Sequence, residues 1–178
     1  EQWGDVQVLA GPADALLMQR GGLGDYVFGD SLSFPAVPMA HGVMDGEHIT
    51  CGAIDIEVVA SPGHTPGSTS WRISFEENGV QKVALIAASV SVLADTQLID
   101  NQHYPDVVSD FQKTYQRLTQ QQYDYYLPDH MVFIDPKAVD EQSPQASWFI
   151  NQDALPAFIQ RSQAQLERLL QQQRESDQ

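Results

Sequence analysis

Residues 54–88 constrain the fold more than any other stretch of the chain. IDIEVVA reads as an apolar strand, SPGHTPGST interrupts it, and TSWRISF and QKVALIAA follow as two further strands joined at ENG. Runs of this length, bounded by Gly and Pro and rich in Val, Ile, Trp and Phe, suit a pleated sheet. Asn78-Gly79 is the two-residue signal for a tight hairpin. Between the first two strands sits one imidazole, His64, flanked by Gly63 and Pro66, with hydroxyls at Thr65 and Ser68. A chain built this way holds a histidine on a stiff loop at the end of a strand.

The rest of the sequence supplies layers around those strands. VQVLA predicts a short strand, and GPADALLMQR a helix with Pro12 in its first turn. RGGLGDYVFGDSLSFPAVP is a loop too long for a plain connector, and Tyr26, Phe28 and Phe34 argue for order in it. After a turn at MDGEH, HIT and GAIDIEVVA predict a strand pair. YPDVVSDFQKTYQRL carries apolar residues at 108, 111, 115 and 118, the spacing of a half-buried helix opened by Pro105. YDYYLP predicts a short strand leading to a second histidine, His130, in LPDHMVF. ALPAFIQRSQAQLERLLQQQ predicts an amphipathic helix buried through Phe158, Ile159, Leu166, Leu169 and Leu170, with residues 171–178 expected as a frayed tail. No repeat or linker divides the chain. Residues 1–178 therefore read as one α+β domain, layered, with antiparallel strand pairs.

Charge narrows the partners. Nine Lys and Arg face 24 Asp and Glu, a formal net charge of −15. Such a surface repels phosphate backbones and anionic headgroups, which argues against nucleic-acid and membrane partners. No apolar run approaches the ~18 residues of a transmembrane helix. No signal peptide is visible, but the chain opens with EQWGDVQVLA, which reads as a start in mid-domain. Cys51 is the single cysteine, so an internal disulfide and a cysteine metal cluster are excluded. Its place among alternating apolar residues predicts a buried structural thiol rather than a nucleophile.

Five histidines can be weighed one at a time. His41 and His48 flank a polar turn and read as exposed, and His103 reads as a surface or capping residue. His64 suits a metal ligand, because an aimed imidazole needs a fixed ring orientation and tautomer. A satisfied loop histidine is the competing reading. His130, also at a strand end, fits either a ligand or a buried hydrogen-bonded ring. Strand ends gather side chains at one rim of a sheet, so the two positions support each other.

DYVFGDSLSFP, MDGEHITCGAIDIEVVASPGHTPGSTSW, LIAASVSVLADTQLIDNQHYP and LPDH, in that order, resemble the second half of the metallo-β-lactamases, specifically their third subclass. The resemblance implies a four-layer αββα sandwich, of which this chain is the C-terminal portion, with two zinc ions at the rim between the sheets. His64 matches a ligand of the first zinc and His130 a ligand of the second. Where the wider superfamily places a bridging aspartate, this chain reads Ala87-Ala88-Ser89-Val90-Ser91. Ser89 matches a non-ligating serine of the third subclass. Ser91 matches the serine that hydrogen-bonds the substrate carboxylate. Plain strand-end hydroxyls serving the backbone are the alternative for both. Phe28 and Leu32 fall where the family lines its pocket with apolar side chains, against simple loop packing.

Two features depart from the family pattern. Some members carry a disulfide near the last strand and helix, where this chain has Tyr123. The His-x-His-x-Asp-His motif, expected upstream of the strand VQVLA, is not in the chain. The resemblance thus implies zinc-dependent hydrolysis of the β-lactam amide by the complete protein through a zinc-bound hydroxide, in the periplasm or secreted. Residues 1–178 alone are expected to be inactive, with a missing N-terminal portion or a second copy of the chain as partner. A lactone or thioester hydrolase and a non-catalytic, swapped assembly are the alternatives.

Overall fold

The structure is a computed structural model and describes residues 6–130 and 149–176. The order is β1 (Val8–Ala10), α1 (Pro12–Gln19), β2 (Ala40–Gly42), β3 (His48–Cys51), β4 (Ile54–Ala60), β5 (Thr69–Glu77), β6 (Val80–Ala87), α2 (Val107–Thr119), β7 (Tyr125–Pro128) and α3 (Ala154–Ser176). β3 to β7 form a five-stranded sheet in sequence order, and β1 and β2 pair separately. The α+β class expected from the sequence is the one observed.

The central strands form where the apolar runs predicted them. Asn78 and Gly79 both take positive φ, 52° and 79°, in the two-residue turn between β5 and β6. The β3–β4, β4–β5 and β5–β6 pairs are antiparallel. The expected antiparallel pairs are thus observed, while β1–β2 and β6–β7, whose pairing the sequence did not indicate, are parallel. The reason is the connection: a helix intervenes in each case and returns the chain to the starting end, as a parallel crossover requires. β2 itself was not expected. It is a three-residue strand whose only strand partner among the described residues is β1.

One face of the large sheet is the core. Val59, Leu85, Ala87 and Tyr126 meet Phe111, Tyr115 and Leu118 of α2 and Leu155, Phe158, Ile159 and Leu166 of α3. Phe111, Tyr115, Leu118 and Leu155 are each 1% exposed, so each contributes roughly 1.5–3 kcal/mol of burial. The intervening residues point to the opposite face. Cross-strand pairing there sets out two apolar rows, Ile49–Ile56–Ile73–Ala84 and Val58–Trp71–Ile86–Leu127. Most of these side chains are only half-buried.

Two further expectations are corrected. Cys51 is exposed, not buried: it ends edge strand β3 at the turn into β4, where three of the four residues of the strand face solvent. Residues 171–176, expected as a frayed tail, continue α3. Gln173 anchors that end, its carbonyl accepting Leu98 N–H at 2.8 Å and its amide donating to Thr96 O at 2.8 Å. The last two residues of the expected tail lie outside the described residues, as does the end of LPDHMVF.

Candidate metal centre

The loop from Ser61 to Ser68 is held from several sides, and each hold acts near His64. On the α2 side, Thr114 donates to Pro62 O at 2.7 Å. Gly63 takes φ +135° and lies flat on Phe111, where an added Cβ would meet ring atoms at 2.7 and 2.8 Å. Only glycine fits both the backbone angle and the contact. From the long loop 20–38, the Tyr26 hydroxyl donates to the carbonyls of Gly63 and His64. Burial, and then the Asp25 carboxylate nearby, raise the Tyr26 pKa, so the phenol stays protonated as that donor. Tyr26 also meets Tyr104 edge-on at 5.1 Å between centroids.

The imidazole itself is half-buried. Its Nδ1 lies 2.8 Å from the Ser91 carbonyl oxygen. A carbonyl can only accept, so the hydrogen is on Nδ1 and the Nε2 lone pair is left for another partner. That is the arrangement metal-binding histidines adopt, with one nitrogen tied to a backbone oxygen and the other presented.

Ser89 and Ser91 lie on the segment that follows β6. Ser89 is 7% exposed, and its Oγ is 2.8 Å from Ser91 Oγ while also accepting Ser91 N–H at 3.3 Å. The structure thus brings His64, Ser89 and Ser91 together through the Ser91 main chain. Ser70 Oγ accepts Ala88 N–H at 3.0 Å and pairs with Ser61 Oγ at 2.7 Å, tying this segment to the start of the histidine loop.

His130 stands exposed just past the end of β7, which runs beside β6. Phe28 and Leu32 are exposed by 38% and 58%, on the loop that Tyr26 anchors to His64. Among the described residues, no group of three or more His, Cys, Asp and Glu is gathered that could hold a metal ion. The donor chemistry of His64 fits zinc as one ligand, not as a complete site. Zinc coordinated at three protein positions is the usual catalytic pattern.

Sequence reasoning missed one participant. Asp14, in the first turn of α1, accepts Thr65 Oγ1–H at 2.6 Å and Gly67 N–H at 3.0 Å. Burial raises its pKa, and those two hydrogen bonds hold it back. An acidic residue in a helical first turn is too common a signal to single out. His41 and His48 are exposed as expected, His48 Nδ1 lying 2.9 Å from Asp55. His103 is exposed too, beside Asp14 and Tyr26 in a small cleft.

No family model matches the chain. Solved structures do. A mutant of a Cronobacter sakazakii metallo-β-lactamase with a HARLDQ motif superposes with a TM-score of 0.87 at 30% identity, over 97% of this chain and 66% of that one. A multiply substituted form of the same motif enzyme gives 0.86 at 31% identity, over 98% and 68%. A subclass B3 metallo-β-lactamase of Bradyrhizobium japonicum gives 0.84 over 97% and 66%, and at 24% identity supports the fold alone. The chain therefore spans about two thirds of the length of these proteins. With that likeness in sequence and in fold, the chain belongs to the metallo-β-lactamase family.

Proposed function

We propose that the complete protein hydrolyses the amide bond of β-lactams with the help of zinc, and that His64 and His130 are two of its zinc ligands. The carrying observation is the Nδ1 contact of His64 with the Ser91 carbonyl, which leaves Nε2 as the free donor. When bound, zinc supplies a hydroxide at neutral pH and polarises the carbonyl under attack. The residues of this chain do the holding. His64 is aimed by the loop beneath it. Ser89, accepting Ser91 N–H, can donate its own hydrogen to Ser91 Oγ and leave the Ser91 hydroxyl for the substrate carboxylate. Phe28 and Leu32 offer an apolar wall of the kind small-molecule clefts use.

This chain brings one candidate ligand to each of two zinc ions. The remaining ligands belong, in this reading, to the third of the relatives' length that the chain does not span, or to a second copy. The same partner covers the apolar rows through Trp71 and Ile73, since soluble proteins rarely leave such faces open. Residues 1–178 alone are inactive on this account. The complete protein works in the periplasm or outside the cell, as a resistance enzyme.

A nitrocefin assay on the intact protein, beside a lactone and a glutathione thioester, tests the reading. Zinc-dependent, chelator-sensitive nitrocefin turnover supports it. Turnover of the lactone or thioester alone moves the protein to another hydrolase of the fold. Zinc well below one per chain, with no turnover, favours a non-catalytic assembly.

A further inference from the structure

We propose that Asp14 is the positioning residue for His64, acting through Thr65 and Gly67, which follow it in the loop. The inference rests on the reading of His64 as a zinc ligand only in its second readout below.

The other holds on the loop act at its first half, on Pro62, Gly63 and the His64 carbonyl. The segment after the histidine is tied back within the loop, Thr65 O accepting Gly63 N–H at 3.0 Å and Ser68 O accepting Ser61 N–H at 2.8 Å, but none of these bonds fixes the side chains of Thr65 and Ser68. Asp14 does, because a carboxylate accepts only, and this one sets the direction of a chain of hydrogen bonds. Thr65 Oγ1–H must donate to Asp14 Oδ2 at 2.6 Å. Thr65 Oγ1 then accepts from Ser68 Oγ at 2.7 Å, and Ser68 Oγ accepts Thr65 N–H at 3.0 Å. Asp14 Oδ1 takes Gly67 N–H at 3.0 Å, closing the far end. Thr65 N–H, Thr65 Oγ1–H, Ser68 Oγ–H and Gly67 N–H thus each have an acceptor in this network.

The fit around this carboxylate is close. A Cβ on Gly67 would meet Asp14 N at 2.3 Å and Asp14 Oδ1 at 2.6 Å, and one on Gly11 would meet Gly67 O at 2.1 Å. The start of α1 is thus seated against the histidine loop. Its Pro12 has no N–H to satisfy, and Ala15 N–H is taken by Gly11 O at 2.9 Å. Asp14 is the only α1 side chain with a described hydrogen bond into the 61–68 turn.

Asp14→Asn keeps the size but reverses the chain. Its amide donates to Thr65 Oγ1, which turns the threonine hydrogen towards Ser68 Oγ and leaves the hydrogen of Ser68, a buried residue, without its acceptor. Thr65→Val breaks the same link in the middle, while Thr65→Ser preserves it. Thr65 is bonded to His64 and the Asp14 carboxylate also acts on that ring through charge, so Thr65→Val beside Thr65→Ser, which both leave the carboxylate in place, isolates the hydrogen-bond chain.

The test reads the His64 ring in the intact, metal-free protein at about pH 8, above the ordinary imidazole range. Long-range proton–nitrogen correlations in the wild type and in Thr65→Ser give a single tautomer with hydrogen on Nδ1. Asp14→Asn and Thr65→Val give mixed tautomers or exchange-broadened ring signals, with the backbone spectrum of β5 and β6 unchanged. The second readout is zinc affinity by chelator competition, weakened about 10-fold in both broken variants, the low end for an outer hydrogen-bonding partner. A single Nδ1–H tautomer in folded Thr65→Val or Asp14→Asn overturns the proposal. Should Asp14→Asn fail to fold, the Thr65 pair still decides. Absence of zinc binding in the wild type sinks the metal reading instead, and leaves the tautomer result to judge Asp14.

Discussion

Gly63→Ala is the sharpest perturbation of the histidine loop. Its φ of +135° is a region that side-chain-bearing residues adopt at a cost of about 1–3 kcal/mol. The new methyl meets Phe111 Cδ1 at 2.7 Å, Cγ at 2.8 Å and Cα at 3.0 Å. The Phe111 ring is 1% exposed and stacked on Tyr115 at 5.8 Å, so it has nowhere to retreat. Overpacking of this kind costs roughly another 1–3 kcal/mol. The sum is about 4 kcal/mol. Gly79→Ala supplies the control, since Gly79 also has positive φ, +79°, but no atom lies within 4 Å of its added methyl. That variant loses only the backbone component, ~1–2 kcal/mol. Urea denaturation of wild type and both variants, with the m-value held as a check on two-state behaviour, measures the gap. A deficit for Gly63→Ala of less than that for Gly79→Ala refutes the claim that Phe111 seats the loop.

Three other outcomes follow from the structure. Burial alone would raise the Asp45 carboxyl, but the Arg117 guanidinium at 2.7 Å and the Ala60 N–H at 2.9 Å outweigh it and lower its pKa. A depressed folded-state pKa gives stability that is present above the unfolded value and lost as pH falls through the folded one. Asp45→Asn therefore costs ~0.5–1 kcal/mol at neutral pH by denaturation, the partly exposed pair being screened, and the difference is lost as pH falls below the ordinary aspartate range and through the lowered folded-state value. Ser91→Ala in the intact protein lowers kcat/KM for a carboxylate-bearing β-lactam about 10- to 100-fold, the value of a hydrogen bond to a charged group, while His64 keeps its tautomer because the Ser91 carbonyl remains. Cys51, exposed at the end of β3, reacts fully with an aromatic disulfide reagent in the native state, where a buried thiol would require denaturant.

Much of the architecture was legible because its signals are local. The β4, β5 and β6 runs, the Asn78-Gly79 turn and the apolar spacing of Phe111, Tyr115 and Leu118 are each written within a dozen residues. What was not legible depends on distant partners. β2 exists only because β1 passes beside Ala40–Gly42. Cys51 sits in a strand-like alternation, but the strand is an edge and its periodicity does not reveal which face is covered. The helical state of residues 171–176 is secured by Gln173 reaching a loop more than seventy positions earlier. At the site, His64 could be singled out from Gly63 and Pro66 around it. Asp14 could not, since its partners Thr65 and Gly67 lie across a fold that α1 helps to close.

The central claim is that His64 presents Nε2 to a zinc ion at the rim of the sheet. Anomalous diffraction at the zinc edge from crystals of the intact protein tests it most directly. The account predicts a peak roughly 2.0–2.1 Å from His64 Nε2, with Nδ1 still on the Ser91 carbonyl. A fully zinc-loaded protein with no peak beside His64, or with Nδ1 bound to the metal, contradicts it.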